Sequence, residues 1–473
     1  MRALLVSTYD LGRQPFGLAS PAAWLRRAGV HVDCADTSRE PLDDSRIAAA
    51  SMIAFYLPMH TATRMAAPLI ERVRRVNPTA RLCAYGLYAP LNAGWLRERG
   101  VHDVLGPEAE QDLVTLVEEC EASLHGSPRG PQPFDPLRVA PSSVERQGSA
   151  PRLARLAFIQ PDRSSLSALD RYASLQMPDG SLRVMGSTDA TRGCKHLCRH
   201  CPIVPVYQGQ FRVVPIDIVI DDIRAQVAAG AQHISFGDPD FLNAPTHALR
   251  LVQRLARECP GVTYDATIKI EHLLDHAEML AGLRDTGCLF ITSAVESIDD
   301  EVLVRFRKGH TRADFAWAVA LCREAGIRLT PTFIPFTPWT TLEGYVELLD
   351  ELFALNLVED VAPIQLAIRL LVTAESPLLE LPDVAAVVEP FDPTSLTWPW
   401  RHPDARVDAL HDAVMRAVRD MADAPRADVF DAIAARADES RGLSSAPRLH
   451  RKSTAGPRVT EPWYCCAEPM GQL

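Results

Sequence analysis

Over the first 120 residues, short apolar runs alternate with stretches in which apolar side chains recur every three or four positions. Runs at 3–8, 30–35, 52–57 and 81–85 predict strands, and the amphipathic stretches 19–28 and 61–76 predict helices. Strands and helices in alternation imply a parallel sheet with helices on its faces. Such sheets bind ligands at the carboxyl ends of their strands, which singles out the loop 8–17 and the segment Gly86-Leu87-Tyr88. Ser, Pro, Gly and Arg then break the pattern over 124–152, inside a linker predicted to span 124–181. Alternation resumes with longer helices. Strands are predicted at 182–187, 233–236, 263–268, 289–294, 328–334 and 364–371, and helices at 217–229, 246–258, 271–286, 312–325 and 341–355. Six βα units predict a partial TIM barrel that works at the carboxyl ends of its strands. Beyond 381 the composition turns to Ala, Asp and Arg, with helices predicted at 404–422 and 428–437 and an irregular last thirty residues. The chain therefore reads as α/β: a Rossmann-like parallel-sheet domain (1–123), a linker (124–181), a (βα)6 barrel (182–381) and a mostly helical extension with an irregular tail (382–473).

A length of 473 residues agrees with two or three domains. The net charge of −11 opposes broad attraction to nucleic-acid phosphates or to an anionic membrane, so neither is expected as a partner and a small-molecule substrate is. No window supplies the roughly 20 apolar residues of a membrane span. The opening run Met1–Ser7 meets Thr8, Asp10 and Arg13 too soon for a signal-peptide core, and a cytoplasmic location is expected. Eleven cysteines in so long a chain do not read as a disulfide framework. Six of them, Cys34, Cys83, Cys120, Cys259, Cys288 and Cys322, stand singly in apolar segments, as reduced packing residues do.

Three others are grouped. Directly after the first barrel strand comes Thr191-Arg192-Gly193-Cys194-Lys195-His196-Leu197-Cys198-Arg199-His200-Cys201-Pro202, a C-x3-C-x2-C spacing. Three thiolates on a tight loop suit a 4Fe-4S cluster with one iron left open for a substrate or cofactor. A zinc site is the alternative, with His196 or His200 as fourth ligand, but structural zinc usually uses paired knuckles and the sequence holds no second C-x2-C.

These residues resemble the signature of radical S-adenosylmethionine (SAM) enzymes, whose three-cysteine motif follows the first strand of a (βα)6 barrel. The resemblance covers roughly residues 182–375. It implies a 4Fe-4S cluster on Cys194, Cys198 and Cys201, SAM chelated to the open iron, and an electron donor such as flavodoxin or ferredoxin. His200 stands where the family usually has an aromatic residue and is implied as an adenine contact. Gly237 and Asp238, after the second strand, resemble the family's Gly-Gly-Glu segment, which holds the cofactor's ammonium. Ser293 and Glu296, after the fourth strand, resemble its ribose-contacting segment. Lys269 and Arg369 are cations entering apolar strands, either to meet the cofactor carboxylate or substrate or to form structural pairs.

The amino-terminal domain resembles the cobalamin-binding domain that precedes the barrel in one branch of this family. Its matching features are Phe16-Gly17-Leu18-Ala19 entering a helix with Trp24-Leu25-Arg26-Arg27-Ala28-Gly29, and the later segment at Gly86. The Asp-x-His-x-x-Gly signature of an axial imidazole is absent, so the domain either binds cobalamin without a protein ligand or is a scaffold. Near its end the chain reads Cys465-Cys466-Ala467-Glu468-Pro469, and Pro457, Pro462 and Pro469 imply extended backbone there. This resembles the tail of the CUAEP/CCAEP-tail radical SAM family, some of whose members carry selenocysteine at the second position. The resemblance implies chemistry at Cys465 and Cys466: donating a hydrogen atom or electron, capturing a soft ion such as trivalent arsenic, or ligating the cluster.

The expected function is that of a radical SAM enzyme modifying a small molecule, with the tail cysteines in catalysis or substrate capture; a transferase or methyltransferase-like reaction is possible within it. One alternative is a carbon–arsenic bond-forming enzyme whose tail thiols bind arsenic. Another, of a different class, is a non-enzymatic iron–sulfur electron carrier or redox sensor, which needs the same three cysteines but no cofactor pocket.

Overall fold

The computed structural model describes residues 1–124, 156–444 and 455–461. Five parallel strands, β1 (Arg2–Ser7), β2 (His31–Asp36), β3 (Met52–Tyr56), β4 (Arg81–Tyr85) and β5 (Asp103–Val104), form the first sheet in the order β2-β1-β3-β4-β5. Its strands read as unbroken apolar runs because both faces are covered: Leu4, Ile53 and Leu82 pack to one side, and Leu5, Ala54 and Cys83 to the other. The order reverses between β1 and β3, so the loops that follow these strands flank the crevice where sheets of this topology take ligands.

The second sheet runs β13-β12-β11-β10-β7-β6-β14. Its centre is β7 (Leu182–Thr188), β10 (His233–Phe236), β11 (Thr263–Thr267), β12 (Cys288–Glu296) and β13 (Arg328–Phe333), all parallel. Ile234, Phe236, Tyr264, Ile291 and Leu329 pack in the core with the surrounding helices, while the facing positions His233, Ser235, Asp265 and Thr292 are polar or small. β6 (Ser174–Gln176) joins β7 as an antiparallel hairpin through Met177-Pro178-Asp179-Gly180-Ser181, and β14 (Arg458–Val459) pairs antiparallel with β6. A separate ribbon, β8 (Thr191–Gly193) with β9 (Phe211–Val213), brackets the cysteine loop.

Three expectations need correction. The barrel sheet starts at Ser174, inside the segment read as linker. The stretch 364–371 is not a sixth strand: it holds a 3-10 turn, Pro363–Leu366, and one parallel bridge, Phe336 to Arg369. Here the Gln365 side chain accepts a hydrogen bond from the Phe333 amide at 3.2 Å, taking the place of a backbone partner on the edge of β13. Within the last thirty residues, read as irregular, β14 is regular. Beside it a cavity of about 80 Å³ is lined by Thr292 and Thr332 of the barrel and by Gly456 and Arg458. Among the described residues no helix is long and apolar enough to cross a membrane.

Candidate functional site

The two sheets present their carboxyl ends to each other. Arg13, in the loop after β1, donates to Ser235 Oγ of β10 at 3.1 Å. Arg192, on β8, reaches back to the amino-terminal domain: its Nη1 lies 2.6 Å from Glu110 Oε1 and its Nη2 3.1 Å from Ser20 Oγ. Arg192 is 9% exposed and Glu110 2%, so this is a buried ion pair two residues before Cys194.

The cysteine loop turns at Gly193, whose φ of +80° suits glycine and where a Cβ would lie 2.5 Å from the Tyr207 ring. Cys194, Cys198 and Cys201 are all free thiols. Burial pushes the Cys194 thiol up to about 11, and Cys198 is near enough to add to the effect. Behind the loop stands Lys308, 3% exposed, with Nζ 3.4 Å from Glu296 Oε1. Burial works against its charge, yet Glu296, Cys198 and Cys201 outweigh that and hold the ammonium above its usual value. A buried cation facing two of three clustered thiols suits a centre of net negative charge, and this donor set fits a 4Fe-4S cluster.

Glu296 ends β12 at a bulge, with φ +70°, a backbone conformation that costs a non-glycine residue roughly 1–3 kcal/mol and is commonest at functional sites. Burial raises its carboxyl, but Lys308 and His200 overcome this and hold it at about 2. The His200 Nε2 lies 3.0 Å from Glu296 Oε1, and its ring packs at a tilt of 43° with its centroid 4.6 Å from that of Phe306. Burial holds this imidazole below its usual value. His200, Glu296 and the cysteines are thus brought together.

At Gly237 a Cβ would sit 2.4 Å from Asp189 Oδ1. Asp238 departs from expectation. Both its oxygens are engaged, Oδ2 by the Ala190 amide at 2.9 Å and Oδ1 by Thr191 Oγ1 at 2.5 Å, so the carboxylate braces the strand leading to Cys194 rather than waiting for an ammonium. Burial, with Asp189 nearby, pushes it up to about 7. Ser293 shares a face of β12 with Ile291 and Val295, which pack in the helix-lined core, and its hydroxyl has no partner. Lys269 is buried and pairs with Glu271 at 3.0 Å. Arg369 is removed from the cofactor candidates: it pairs with Asp408 at 2.7 Å, donates to the Trp400 carbonyl and stacks 3.6 Å over the Trp400 ring. Cys465 and Cys466 lie outside the described residues.

Sequence reasoning missed Lys308 and its neighbour His310, whose two ring nitrogens are buried without hydrogen-bond partners. Their only local signal is Lys308-Gly309-His310 at a helix exit, with Gly309 at φ +78°. The unpartnered nitrogens of His310 and the His200 Nδ1 are polar groups that a polar cofactor would satisfy, and SAM fits on that ground.

A cavity lies at the interface between the two sheets. The cavity there is about 180 Å³ and is lined by Phe16, Tyr56, Tyr85, Arg192 and Tyr207. Tyr85 donates to the Gly17 carbonyl at 2.7 Å, and Tyr56 packs so closely that a Cβ at Gly17 would lie 2.1 Å from its ring.

Residues 189–352 match the profile of the Radical SAM superfamily and so form a Radical SAM domain, of a family of enzymes that use a 4Fe-4S cluster and SAM. The chain is 24% identical over 268 residues to tRNA-2-methylthio-N(6)-dimethylallyladenosine synthase of Christiangramia forsetii, covering 51% of this chain and 48% of that one. It is 30% identical over 126 residues to bacteriochlorophyllide d C-12(1)-methyltransferase of Chlorobaculum tepidum, covering 26% and 27%. The chain thus spans less than half the length of these curated relatives. Among solved structures, the radical SAM methyltransferase TsrM from Kitasatospora setae, with tryptophan and a SAM analogue bound, superposes with TM-score 0.56 at 18% identity over 75% of this chain and 71% of that one. The cobalamin-dependent radical enzyme OxsB, with aqua-cobalamin bound, superposes with TM-score 0.65 at 14% identity over 88% and 67%. At such identities the likeness is one of fold.

Proposed function

We propose that this chain is a radical SAM enzyme that modifies a small molecule held where the barrel mouth, the amino-terminal domain and the tail meet. The observation that carries the reading is the buried Lys308 facing Cys198 and Cys201 while it pairs with Glu296 beside His200. When bound, the cluster and SAM supply a carbon radical through reductive cleavage of a carbon–sulfur bond. The three thiols would hold three irons, and Lys308 offsets their negative charge. Glu296, kept ionised, accepts hydrogen bonds from cofactor hydroxyls, and Gly237 lets the backbone come close. Arg192 and Arg13 clamp the two domains together, which keeps water from the cysteine loop. The electron comes from a donor such as a flavodoxin or ferredoxin. The carrier or sensor alternative needs no polar pocket, whereas His310 and His200 present unsatisfied nitrogens.

The tail belongs to the same reading. Tyr9, at the rim of the first sheet, donates to Glu461 at 2.6 Å, and Cys465 follows only four residues later, a reach of about 14 Å at full extension. That suits two thiols acting at the rim on a radical or on a soft ion such as trivalent arsenic.

Anaerobically reconstituted chain is expected to hold about four irons and to cleave SAM under a strong reductant. Cys194→Ala, Cys198→Ala or Cys201→Ala should abolish both. Stoichiometric zinc in a chain that accepts no iron overturns the reading.

A further inference from the structure

Three side chains next to the cysteine loop converge without a role in the chemistry above. His196 lies inside the cysteine motif, Asp240 in the loop after β10, and His272 on the helix Ile270–Asp275 after β11. The Nε2 atoms of the two imidazoles are 3.3 Å apart. Asp240 Oδ2 lies 3.4 Å from His196 Nε2 and 2.6 Å from His272 Nδ1. Asp240 is 0% exposed and His272 2%.

The geometry is not that of a hydrogen-bonded relay. Asp240 Oδ1 is taken by the Leu242 amide at 3.3 Å, while Oδ2 and the His272 Nδ1, close as they are, make no hydrogen bond of acceptable direction, and both atoms are buried. A buried carboxylate oxygen and a ring nitrogen that crowd together without pointing at each other leave an unpaid desolvation cost. Ligands of one ion behave this way, because their lone pairs aim at a third point. At a metal–nitrogen distance of 2.0–2.1 Å, two tetrahedral ligands lie about 3.3 Å apart, close to the 3.4 Å between His196 Nε2 and Asp240 Oδ2. His272 would bring one of its two nitrogens, and the three ligand atoms, one from each residue, lie within 4.8 Å of one another. Glu271 supports the set from outside, with Oε2 3.5 Å from His196 Nδ1 and 3.0 Å from Lys269 Nζ, as carboxylates beside metal-bound histidines do.

We propose that His196, Asp240 and His272 form a binding site for one divalent transition-metal ion, of the zinc or ferrous class, separate from the iron of the cysteine cluster. Two imidazoles and one carboxylate complete three positions and leave at least one for water or a substrate atom, the pattern of a reactive rather than a purely structural site. Lying beside the cysteine loop, such an ion gives the enzyme a Lewis acid for a donor atom of the small molecule.

The test uses the full chain with its cluster already reconstituted, so that the cysteines are occupied. Cobalt(II) chloride is titrated in anaerobically and followed by visible absorbance. One equivalent should bind, with ligand-field bands and no thiolate-to-cobalt charge-transfer band. Asp240→Asn and His272→Gln should each weaken binding at least about tenfold while the cluster absorbance stays unchanged, which also reports that the variants are folded. Should a variant lose its cluster absorbance, the wild-type titration still decides. Absence of one-to-one binding, a cobalt–thiolate band, or unchanged affinity in both variants with intact clusters overturns the proposal. Loss of SAM cleavage alone speaks to the enzyme reading and leaves this result standing.

Discussion

Replacing Glu110 with Gln keeps the side chain's shape and takes away the charge that Arg192 faces at 2.6 Å. Both groups are removed from water; the guanidinium also meets Ser20 Oγ and the rings of Phe16 and Phe158, with Asp189 as a second acid near it. Breaking a buried pair by removing one partner costs about 3–5 kcal/mol, since the remaining charge keeps its desolvation penalty. The amide oxygen still accepts a hydrogen bond, so Glu110→Gln belongs at the low end, about 3 kcal/mol. At roughly 2–4 °C per kcal/mol for domains of this size, the midpoint should fall by about 6–12 °C. The pair crosses from the amino-terminal domain to the strand before Cys194, so calorimetry should show the transitions of the two domains separating. Replacing both partners with apolar residues, Glu110→Leu with Arg192→Met, should cost less than the sum of the two single changes, because neither partner of this pair is left without the other. A fall under about 2 °C, or a double variant as unstable as the sum of its singles, refutes the reasoning.

Asp238 gives a pH signature of unusual sign. Its carboxyl is raised from 3.8 to about 7 by burial and by Asp189, so the stability it lends is fully present below pH 3.8 and is lost as the pH rises through 7. Asp238→Asn should therefore gain on the wild type in urea unfolding between about pH 4 and 7, and a constant difference across that range refutes the shift. For the tail, deleting residues 465–473 should leave the thermal midpoint almost unchanged, because the described pairing of β14 with β6 lies outside the deleted segment. Cys465→Ser and Cys466→Ser should each retain SAM cleavage and lose product in an assay that measures the two separately with candidate substrates including trivalent arsenic. Product at the wild-type rate in both takes the tail out of the active site.

The longer parallel strands of both sheets were legible because each is buried on one face or both, and burial writes itself into the sequence as apolar runs such as Ala3–Val6. The cysteine loop was legible because its three thiols are close in sequence. The apolar stretch 364–371 deceived because its fate depends on tertiary partners: Gln365 is drawn to the Phe333 amide and Arg369 to Asp408, and neither pull leaves a periodic trace. The same holds for Lys308, Asp240 and His272, single polar residues whose meaning comes from what the fold sets beside them. Asp238 was singled out on likeness to a motif, and only the geometry separates its bracing carboxylate from that of Asp240, which has an unsatisfied oxygen. β14 is two residues long and its partner lies some 280 positions earlier, so no local window reveals it.

That last pairing bears on how the protein is made. β14 lies along the edge of β6, Gly456 fits against Arg328 at the start of β13, and Glu461 meets Tyr9. A nascent chain that has emerged only as far as residue 444 already contains every parallel barrel strand and all three motif cysteines, yet the flank between β6 and β13 is bare. Closing it is the most non-local step of assembly, and such contacts form late. The edge of β6, which would otherwise offer itself to a neighbouring chain, is covered as β14 docks.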